Sequence, residues 1–188
     1  GKISRLALGD IDATPLVETY VVPQAVSQMR HMPGAPFGTR GGTVVTHNLP
    51  ADGDYVFRLS FYYSSIGPVF GDNIPAEGEQ IEVAVDGERV ALIEIDRFMH
   101  EEDPTNVTRS TEPMFVRAGR HRVAAAFIKT FEGPAEDIVS PVRQSMLKPQ
   151  AGYNDGQTHL PHLYDLVIEG PLRVMGVSET PTRSRIFT

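Results

Sequence analysis

The segment from Arg40 to Tyr63 constrains the fold more than any other part of the chain. Its second half alternates strictly, and the residues at period two are Tyr55, Phe57, Leu59, Phe61 and Tyr63. Such alternation is typical of a β-strand with one buried face. The tetrapeptide Pro50-Ala51-Asp52-Gly53 interrupts the segment. Because proline fixes φ and glycine tolerates positive φ, this tetrapeptide predicts a hairpin turn between two strands.

Further segments predict strands on both sides of this hairpin. Val17 to Val22 is rich in β-branched and aromatic residues and stops at Pro23. The dipeptide Asp86-Gly87 is a strong hairpin signal, and it joins the alternating segment Gln80 to Val85 to Arg89 to Ile95. These patterns predict short antiparallel strands joined by tight turns.

The second half of the chain continues in the same way. Met114 to Val116, a turn at Arg117 to Arg120, and Arg122 to Lys129 predict another hairpin. Leu163 to Glu169 predicts the last strand. Gln24 to Gly42 is punctuated by proline and glycine, which predicts a long surface loop.

Roughly eight short strands with almost no helix predict an all-β fold. We expect a two-sheet antiparallel β-sandwich of jelly-roll type, and a barrel is the alternative. The predicted core includes Tyr55, Phe57, Leu59, Phe61, Val83, Val123 and Phe127. We expect residues 1–188 to form a single domain excised from a larger multidomain protein, because the chain begins with Gly1 and has no initiator methionine.

Composition excludes several classes of function. The chain has no cysteine, which rules out a disulfide framework, a thiolate zinc site, a cysteine nucleophile and c-type haem attachment within it. The net charge of -7 and the scattered basic residues predict no nucleic-acid partner. No run approaches about eighteen apolar residues, so we expect no membrane span.

Two carboxylates are candidate metal ligands because of their positions. Glu18 lies on the first predicted strand and Asp165 on the last. If the terminal strands are neighbours, the carboxylates could meet near the Gly38 to Gly42 loop, whose carbonyl oxygens would complete a structural Ca²⁺ site. The alternative is that both side chains simply point outward.

Three groups of loop residues are candidate ligand contacts. Sugars stack their apolar faces on aromatic rings and pair their hydroxyls with amides and carboxylates. The strongest group of this kind lies just before the last strand and consists of Tyr153, Asn154 and Asp155. Two weaker groups consist of Phe70 with Asp72 and Asn73, and of Phe98 with His100. Ordinary turn chemistry is the alternative for all three groups.

Histidines supply weaker signals. His47 alternates within a predicted strand and is expected to be a hydrogen-bonded sheet residue. No serine lies in a nucleophile-elbow context, and no acid and base pair can be located. We therefore expect the chain to be non-catalytic, with a hydrolase as the remaining alternative.

Several segments, taken in order, carry a family resemblance: VETYVVP, GTRGGTVVTHNLPADGDYVFRL, EVAVDGERV, VRAGRHRVAAAFI and LPHLYDLVIEGP. They resemble a domain of large secreted planctomycete-type proteins of unknown function that often carry a c-type cytochrome domain. The resemblance implies a periplasmic or extracellular, non-catalytic module that contacts neighbouring domains of its parent chain. The haem would lie elsewhere, and the resemblance leaves open that the parent protein is an oxidoreductase.

The order of features is also similar to that of calcium-binding jelly-roll carbohydrate-binding modules. Glu18, Gly41-Gly42, Tyr55 and Asp165 occupy places that match the pattern of those modules. This resemblance implies Ca²⁺ as a structural cofactor and a polysaccharide or oligosaccharide as partner. The absence of tryptophan is a departure from the pattern. The alternative function is a structural module that positions neighbouring domains of a secreted electron-transfer or degradative protein and binds no sugar.

Overall fold

The computed structural model describes residues 9–23, 26–63, 79–96, 99–100, 102–103, 107–129 and 160–178. Within these ranges the chain forms nine β-strands and no helix. The strands are β1 Leu16–Val21, β2 Thr39–Leu49, β3 Asp52–Phe61, β4 Glu79–Val85, β5 Glu88–Ile95, β6 Thr108–Ser110, β7 Met114–Val116, β8 Gly119–Ile128 and β9 Leu163–Gly176. The predicted all-β class is confirmed.

The strands form two antiparallel sheets. The five-stranded sheet has the order β1-β9-β3-β6, and β7 also pairs with β3. The four-stranded sheet has the order β2-β8-β4-β5. Side chains from both sheets meet in one buried cluster, as expected for a β-sandwich.

The alternating pattern of β3 determines which face of that strand is buried. Every second residue of β3 is buried and the intervening residues are partly exposed. All the predicted core residues are buried, namely Tyr55, Phe57, Leu59, Phe61, Val83, Val123 and Phe127. The period of two in the sequence therefore identified the inner faces of the strands correctly.

The predicted β4–β5 hairpin is also confirmed. Asp86 and Gly87 have φ of 53° and 89°, the pair of positive values that a tight two-residue turn requires. The turn is fixed to β8, because Asp86 N donates to Arg122 O (2.8 Å) and Arg122 N donates to Asp86 Oδ1 (2.8 Å).

Two predicted hairpins are wrong. The strands on either side of Pro50 to Gly53 lie in different sheets, because β2 pairs with β8 and β3 pairs with β9. The strands between Met114 and Lys129 do not form a hairpin either. β7 pairs with β3, whereas β8 pairs with β2 and β4 in the other sheet. The connection crosses between the sheets and is held by Ala118 N, which donates to Asp52 Oδ1 (2.6 Å). A turn signal shows where the chain reverses, but it does not show which strand becomes the partner.

The predicted loop at Gly38 to Gly42 is also corrected. β2 begins at Thr39, and the two glycines form a bulge within the strand. Gly41 and Gly42 have φ of 54° and 73°, and a Cβ on Gly42 would overlap the carbonyl oxygen of Ala125. Glycine is therefore needed here for both backbone conformation and close packing. In the described ranges no helix is long and apolar enough to cross a membrane.

Candidate functional site

A β-bulge at the start of β9 places three polar and aromatic side chains together. Ser60 of β3 is paired with Asp165 of β9, and the next residue of β3, Phe61, is paired with Leu163. Tyr164 lies between these two pairs and has no partner of its own in β3, so it is the extra residue of the bulge. A bulge of this kind redirects the side chains that flank it. Ser60 alternates with the buried Leu59 and Phe61 and therefore points away from the core, and its partner Asp165 shares that outer face.

The two tyrosines of this region make direct ring contact. The Tyr62 and Tyr164 rings are 5.0 Å apart at 90°, an edge-to-face arrangement. Tyr62 also contacts the buried His162 ring at 5.0 Å and 90°. Tyr62 is anchored by its hydroxyl, which donates to Val22 O (3.0 Å). Tyr164 keeps 41% of its surface exposed, so part of this aromatic residue is accessible to solvent.

Asp165 is the unusual member of the group. Only 8% of the residue is exposed, and its buried Oδ1 atom has no hydrogen-bond partner. A buried carboxylate oxygen without a partner costs free energy, because the water lost on burial is not replaced. Such atoms in native proteins require an explanation, and an ordered water, an ion or a bound ligand can each provide the missing partner. We refer to Tyr62, Tyr164 and Asp165 as the bulge site.

The electrostatics of the bulge site agree with this geometry. Burial raises the pKa of Tyr62 above its ordinary value, and the nearby Tyr164 and Asp165 raise it further. The Tyr62 hydroxyl is therefore protonated at neutral pH and remains a hydrogen-bond donor to Val22 O. Protonation keeps the anchoring of the ring intact across the physiological pH range.

A buried glutamine fixes the entry of β9 against the other sheet. The Gln28 Oε1 atom accepts hydrogen bonds from Gly42 N (3.0 Å) and Leu163 N (3.5 Å). Gln28 O in turn accepts a bond from Arg40 Nη1 (2.9 Å), and Arg40 forms an ion pair with Glu79. The bulge site therefore lies next to Leu163, whose backbone Gln28 connects to the other sheet by hydrogen bonds.

The bulge site has the chemistry of a small polar ligand site. It offers an exposed aromatic face for apolar C–H surfaces and a carboxylate that can accept hydrogen bonds from hydroxyl groups. Among the described residues, it contains no base paired with a nucleophile.

The register does not bring Glu18 and Asp165 into one site. Glu18 is opposite Ile168, whose side chain is in the core, whereas Asp165 is opposite Val21. Three positions separate the two carboxylates along β9, which is about 10 Å, and an odd separation places them on opposite faces of the sheet. The terminal strands are neighbours as expected, but the parity of the register argues against a calcium site shared by these two residues.

Glu18 instead belongs to a second polar group at the edge of the sandwich. Tyr20 donates through its hydroxyl to Glu18 Oε1 (3.0 Å), and the same hydroxyl lies 2.8 Å from His47 Nδ1. Burial raises the pKa of Tyr20 to about 12, with smaller contributions from Glu18. Burial lowers the pKa of His47, Glu18 raises it and His121 lowers it further. His47 is thus a hydrogen-bonded sheet residue, as predicted.

The described residues offer a limited donor set for a metal. No group of three or more histidine, aspartate or glutamate side chains in this part of the chain is arranged to hold an ion. Ca²⁺ takes roughly six to eight oxygen ligands. Asp165 Oδ1 fits as one of them, whereas Glu18 does not fit the same site.

Most of the predicted ligand residues lie outside the described ranges. These are Tyr153, Asn154, Asp155, Phe70, Asp72, Asn73 and Phe98. His100 is described, and it lies in a local turn in which His100 N donates to Asp103 Oδ2 (2.8 Å) and Glu102 N donates to His100 Nδ1 (3.2 Å). The proposed role of these residues in ligand binding remains a prediction.

Sequence reasoning missed Tyr62 and Tyr164 as site residues. The residues of β9 that join the hydrophobic core are Leu163, Leu166 and Ile168, so their spacing is three and then two. That break in the period of two marks the extra residue of a bulge. Reading it would have placed Tyr164 and Asp165 on the same side of the sheet.

The fold and the site together define an all-β sandwich domain with an aromatic and acidic surface site. No family model matches the chain, and no curated protein matches it. Among solved structures, the chain is similar to dimeric latent PorU from Porphyromonas gingivalis, with 13% identity and a TM-score of 0.35. The match covers 89% of this chain and 14% of that one. At this TM-score the likeness supports no conclusion about ligand or activity.

Proposed function

We propose that this chain is a non-catalytic, carbohydrate-binding-like module that uses the bulge site for a polysaccharide or oligosaccharide. The observation that carries the proposal is the unpartnered Oδ1 of Asp165 beside the Tyr62 and Tyr164 rings. A sugar satisfies both features at once, because its C–H face covers an aromatic ring while a hydroxyl group donates to the carboxylate.

The accessibility of the two groups suggests an order of contacts. Tyr164 is exposed and would stack against the sugar without rearrangement. Asp165 Oδ1 is buried, so a hydroxyl group reaches it only when the surrounding side chains shift. Rotamer changes of this size are common when proteins bind ligands. We therefore expect Tyr164 to contribute affinity and Asp165 to contribute selectivity.

The experiment is a glycan array combined with affinity electrophoresis against plant, algal and bacterial polysaccharides. Wild type is compared with Tyr164→Ala and with the control Phe115→Ala. Phe115 is a suitable control because it is also an exposed aromatic residue of the five-stranded sheet, at 52%. It lies opposite Asp54, six positions along β3 from Ser60, so about 20 Å separates it from the site.

We expect Tyr164→Ala to weaken binding by about three- to tenfold, which corresponds to the loss of one stacking contact. Phe115→Ala should bind as wild type does. Complete absence of binding across the panel, with Ca²⁺ present, would reject the glycan proposal. Equal binding by wild type and Tyr164→Ala would show that another surface holds the sugar.

A structural Ca²⁺ remains part of the proposal. Asp165 is kept as a calcium ligand, and Glu18 is no longer proposed as one. A ligand that binds only the folded state raises the melting temperature by mass action. We expect Ca²⁺ to raise the melting temperature of wild type and of Glu18→Gln, but not that of Asp165→Asn. If a chelator leaves the wild-type curve unchanged, the calcium proposal fails and the glycan proposal can still be tested separately.

A structural module that positions neighbouring domains is the second candidate function. The observation in its favour is Phe37, which is 99% exposed on an ordered turn and stacked parallel to His31 at 6.2 Å. The turn is held by Thr39, whose hydroxyl donates to Pro36 O (2.6 Å), and by Lys129 N, which donates to Gly38 O (2.8 Å). Exposed aromatic residues on rigid supports are typical of protein interfaces.

The two functions predict different outcomes for Phe37→Ala. If the chain positions neighbouring domains in a secreted periplasmic or extracellular protein, the substitution should loosen the parent chain, as measured by small-angle scattering or limited proteolysis. Glycan binding should be unchanged by it. A parent chain that behaves identically with and without Phe37 would remove the support for the positioning role.

A further inference from the structure

Among the described residues, no strand pairs with the outer edge of β1. β1 is the terminal strand in the order β1-β9-β3-β6, and its only strand partner within the described ranges is β9. Its register with β9 runs without irregularity over all six residues. Val17 and Val21 are 59% and 58% exposed. A regular and apolar edge of this kind can pair with another strand.

The backbone groups that face the open edge can be identified. Val22 N donates to Tyr164 O (2.8 Å), so Val22 is in a hydrogen-bonded pair with β9. Hydrogen-bonded and open positions alternate along an antiparallel strand. The N–H and C=O groups of the even residues therefore face β9. Those of Val17, Thr19 and Val21 face outward.

The other edges of the two sheets are protected against pairing. β6 and β7 have three residues each. β2 has the Arg40 to Thr43 bulge, and β5 carries the charges of Glu88, Arg89 and Glu94. Short strands, bulges and charges are the usual devices that block edge pairing. β1 has a single charged residue, Glu18, which is already bonded to Tyr20.

The sequence of β1 is complementary to itself in one register. An antiparallel pairing centred on Thr19 places Val17 opposite Val21 of a second copy, and it places Glu18 opposite Tyr20. In this register each outward-facing residue, Val17, Thr19 or Val21, is opposite another outward-facing residue. All of them can therefore form hydrogen-bonded pairs across the interface. The valines would form cross-strand β-branched pairs, which stabilise a sheet.

The prolines on either side of β1 also favour the register that is centred on Thr19. Pro15 and Pro23 are both four positions from Thr19, so each would lie opposite the other in the second copy. Neither has an N–H group to donate, and the ladder would end there on both sides. A shift of two residues in either direction would place a proline opposite an outward-facing residue and remove hydrogen bonds.

We infer that this chain forms a symmetric homodimer through the outer edge of β1, in which two five-stranded sheets join into one continuous sheet. The two-fold axis passes through Thr19. The side chains of Glu18 and Tyr20, which bond within one chain, also face their counterparts across the interface. This inference does not rest on the glycan proposal. The bulge site adjoins the interface, because Asp165 is opposite Val21, but the dimer uses the outward backbone groups of β1 and the bulge site uses side chains of β9 and Tyr62.

The experiment is sedimentation velocity of the 188-residue chain from micromolar to millimolar concentration. We expect a reversible monomer and dimer equilibrium for wild type. Thr19→Pro removes the central N–H, which faces outward and makes no bond to β9, and should raise the dimer dissociation constant by about tenfold or more. Thr19→Val keeps the N–H and the β-branched shape, and should dimerise like wild type.

A second variant addresses the possibility that Thr19→Pro fails to fold. The double substitution Val17→Lys with Thr19→Lys changes only exposed side chains and leaves Val21, the register partner of Asp165, unchanged. It would place the new lysine at position 19 opposite its own copy across the two-fold axis. We expect it to be monomeric with an unchanged circular dichroism spectrum. A wild type that is monomeric at every concentration would overturn the inference. A dimer that persists in the double variant would also overturn it.

Discussion

Two described carboxylates, Glu82 and Asp165, each have a buried oxygen without a protein partner, and the other oxygen of Glu82 is paired with Arg89. The buried Oδ1 of Asp165 has no hydrogen-bond partner, and the adjacent Tyr62 hydroxyl is used by Val22 O. Folding therefore carries a desolvation cost at this residue that a ligand would offset. If the proposed ligand binds here, the site exchanges stability for binding, as functional sites commonly do.

The first prediction concerns the charge of Asp165. Asp165→Asn keeps the shape and removes the buried charge, so it should raise the free energy of unfolding without ligand by about 1 kcal/mol. The measurement is urea denaturation at neutral pH. Asp54→Asn is the control, because Asp54 Oδ2 accepts a hydrogen bond from Arg173 Nε (3.1 Å), and it should show no gain. A loss of stability in Asp165→Asn would mean that Oδ1 has a partner in solution.

The second prediction concerns alkaline pH and Tyr55. Burial raises the pKa of Tyr55 to about 12, from an ordinary value of 10.0. A raised pKa means that the contribution to stability is complete below pH 10 and is lost as the pH rises towards 12.

Unfolding experiments at several pH values above neutral measure this effect. Tyr55→Phe should lose about 1 kcal/mol at neutral pH, because Tyr55 donates through its hydroxyl to Ala51 O (2.8 Å). It should also show a shallower decline of stability between pH 10 and 12. Identical pH profiles for the two proteins would show that Tyr55 ionises normally.

At the scale of elements, the glycine bulge of β2 fixes how that strand meets β8. Gly42 has φ of 73° and has no space for a side chain. Gly87 has φ of 89°, and no atom lies within 4 Å of the position that a methyl group would occupy there. Both glycines therefore have a positive φ, which glycine adopts without strain. They differ in packing, because only Gly42 has neighbouring atoms where a side chain would lie.

The third prediction compares these glycines. Gly42→Ala should lower the free energy of unfolding by about 3 kcal/mol, because it adds overlap with Ala125 to the backbone strain. Gly87→Ala should cost about 1 kcal/mol from strain alone. Chemical denaturation of both variants is the measurement. Equal losses would show that β2 can move away from β8 at the bulge.

The sequence predicted the inner faces of the strands better than their partners. The alternation in β3 and the Asp86-Gly87 turn are local signals, and both were correct. The assignment of β7 and β8 to different sheets depends on contacts with distant strands such as β3. The same holds for β2 and β3, which flank the Pro50 to Gly53 turn and lie in different sheets. Local patterns carry no information about such pairing, so both predicted hairpins failed.

At the scale of the whole molecule, the sandwich was predictable and the site only in part. Asp165 was selected because of its place on the last strand, and it is in the bulge site. Glu18 was selected because it lies on the first strand. The register places it on the opposite face of the sheet from Asp165, beside Tyr20 and His47. A shift of one residue in register moves a side chain to the other face of the sheet. The position of a residue in the sequence does not determine the register, so it could not show on which face Glu18 lies.

The central claim is that the bulge site holds a glycan, and ring resonances test it most directly. Tyrosine and phenylalanine ring signals are recorded by NMR while an oligosaccharide that binds in the array is added. We predict that the Tyr62 and Tyr164 signals shift in wild type, that the Phe115 signal does not, and that Tyr164→Ala reduces the shift at Tyr62. Saturable binding that leaves the Tyr62 and Tyr164 signals unchanged would contradict the claim.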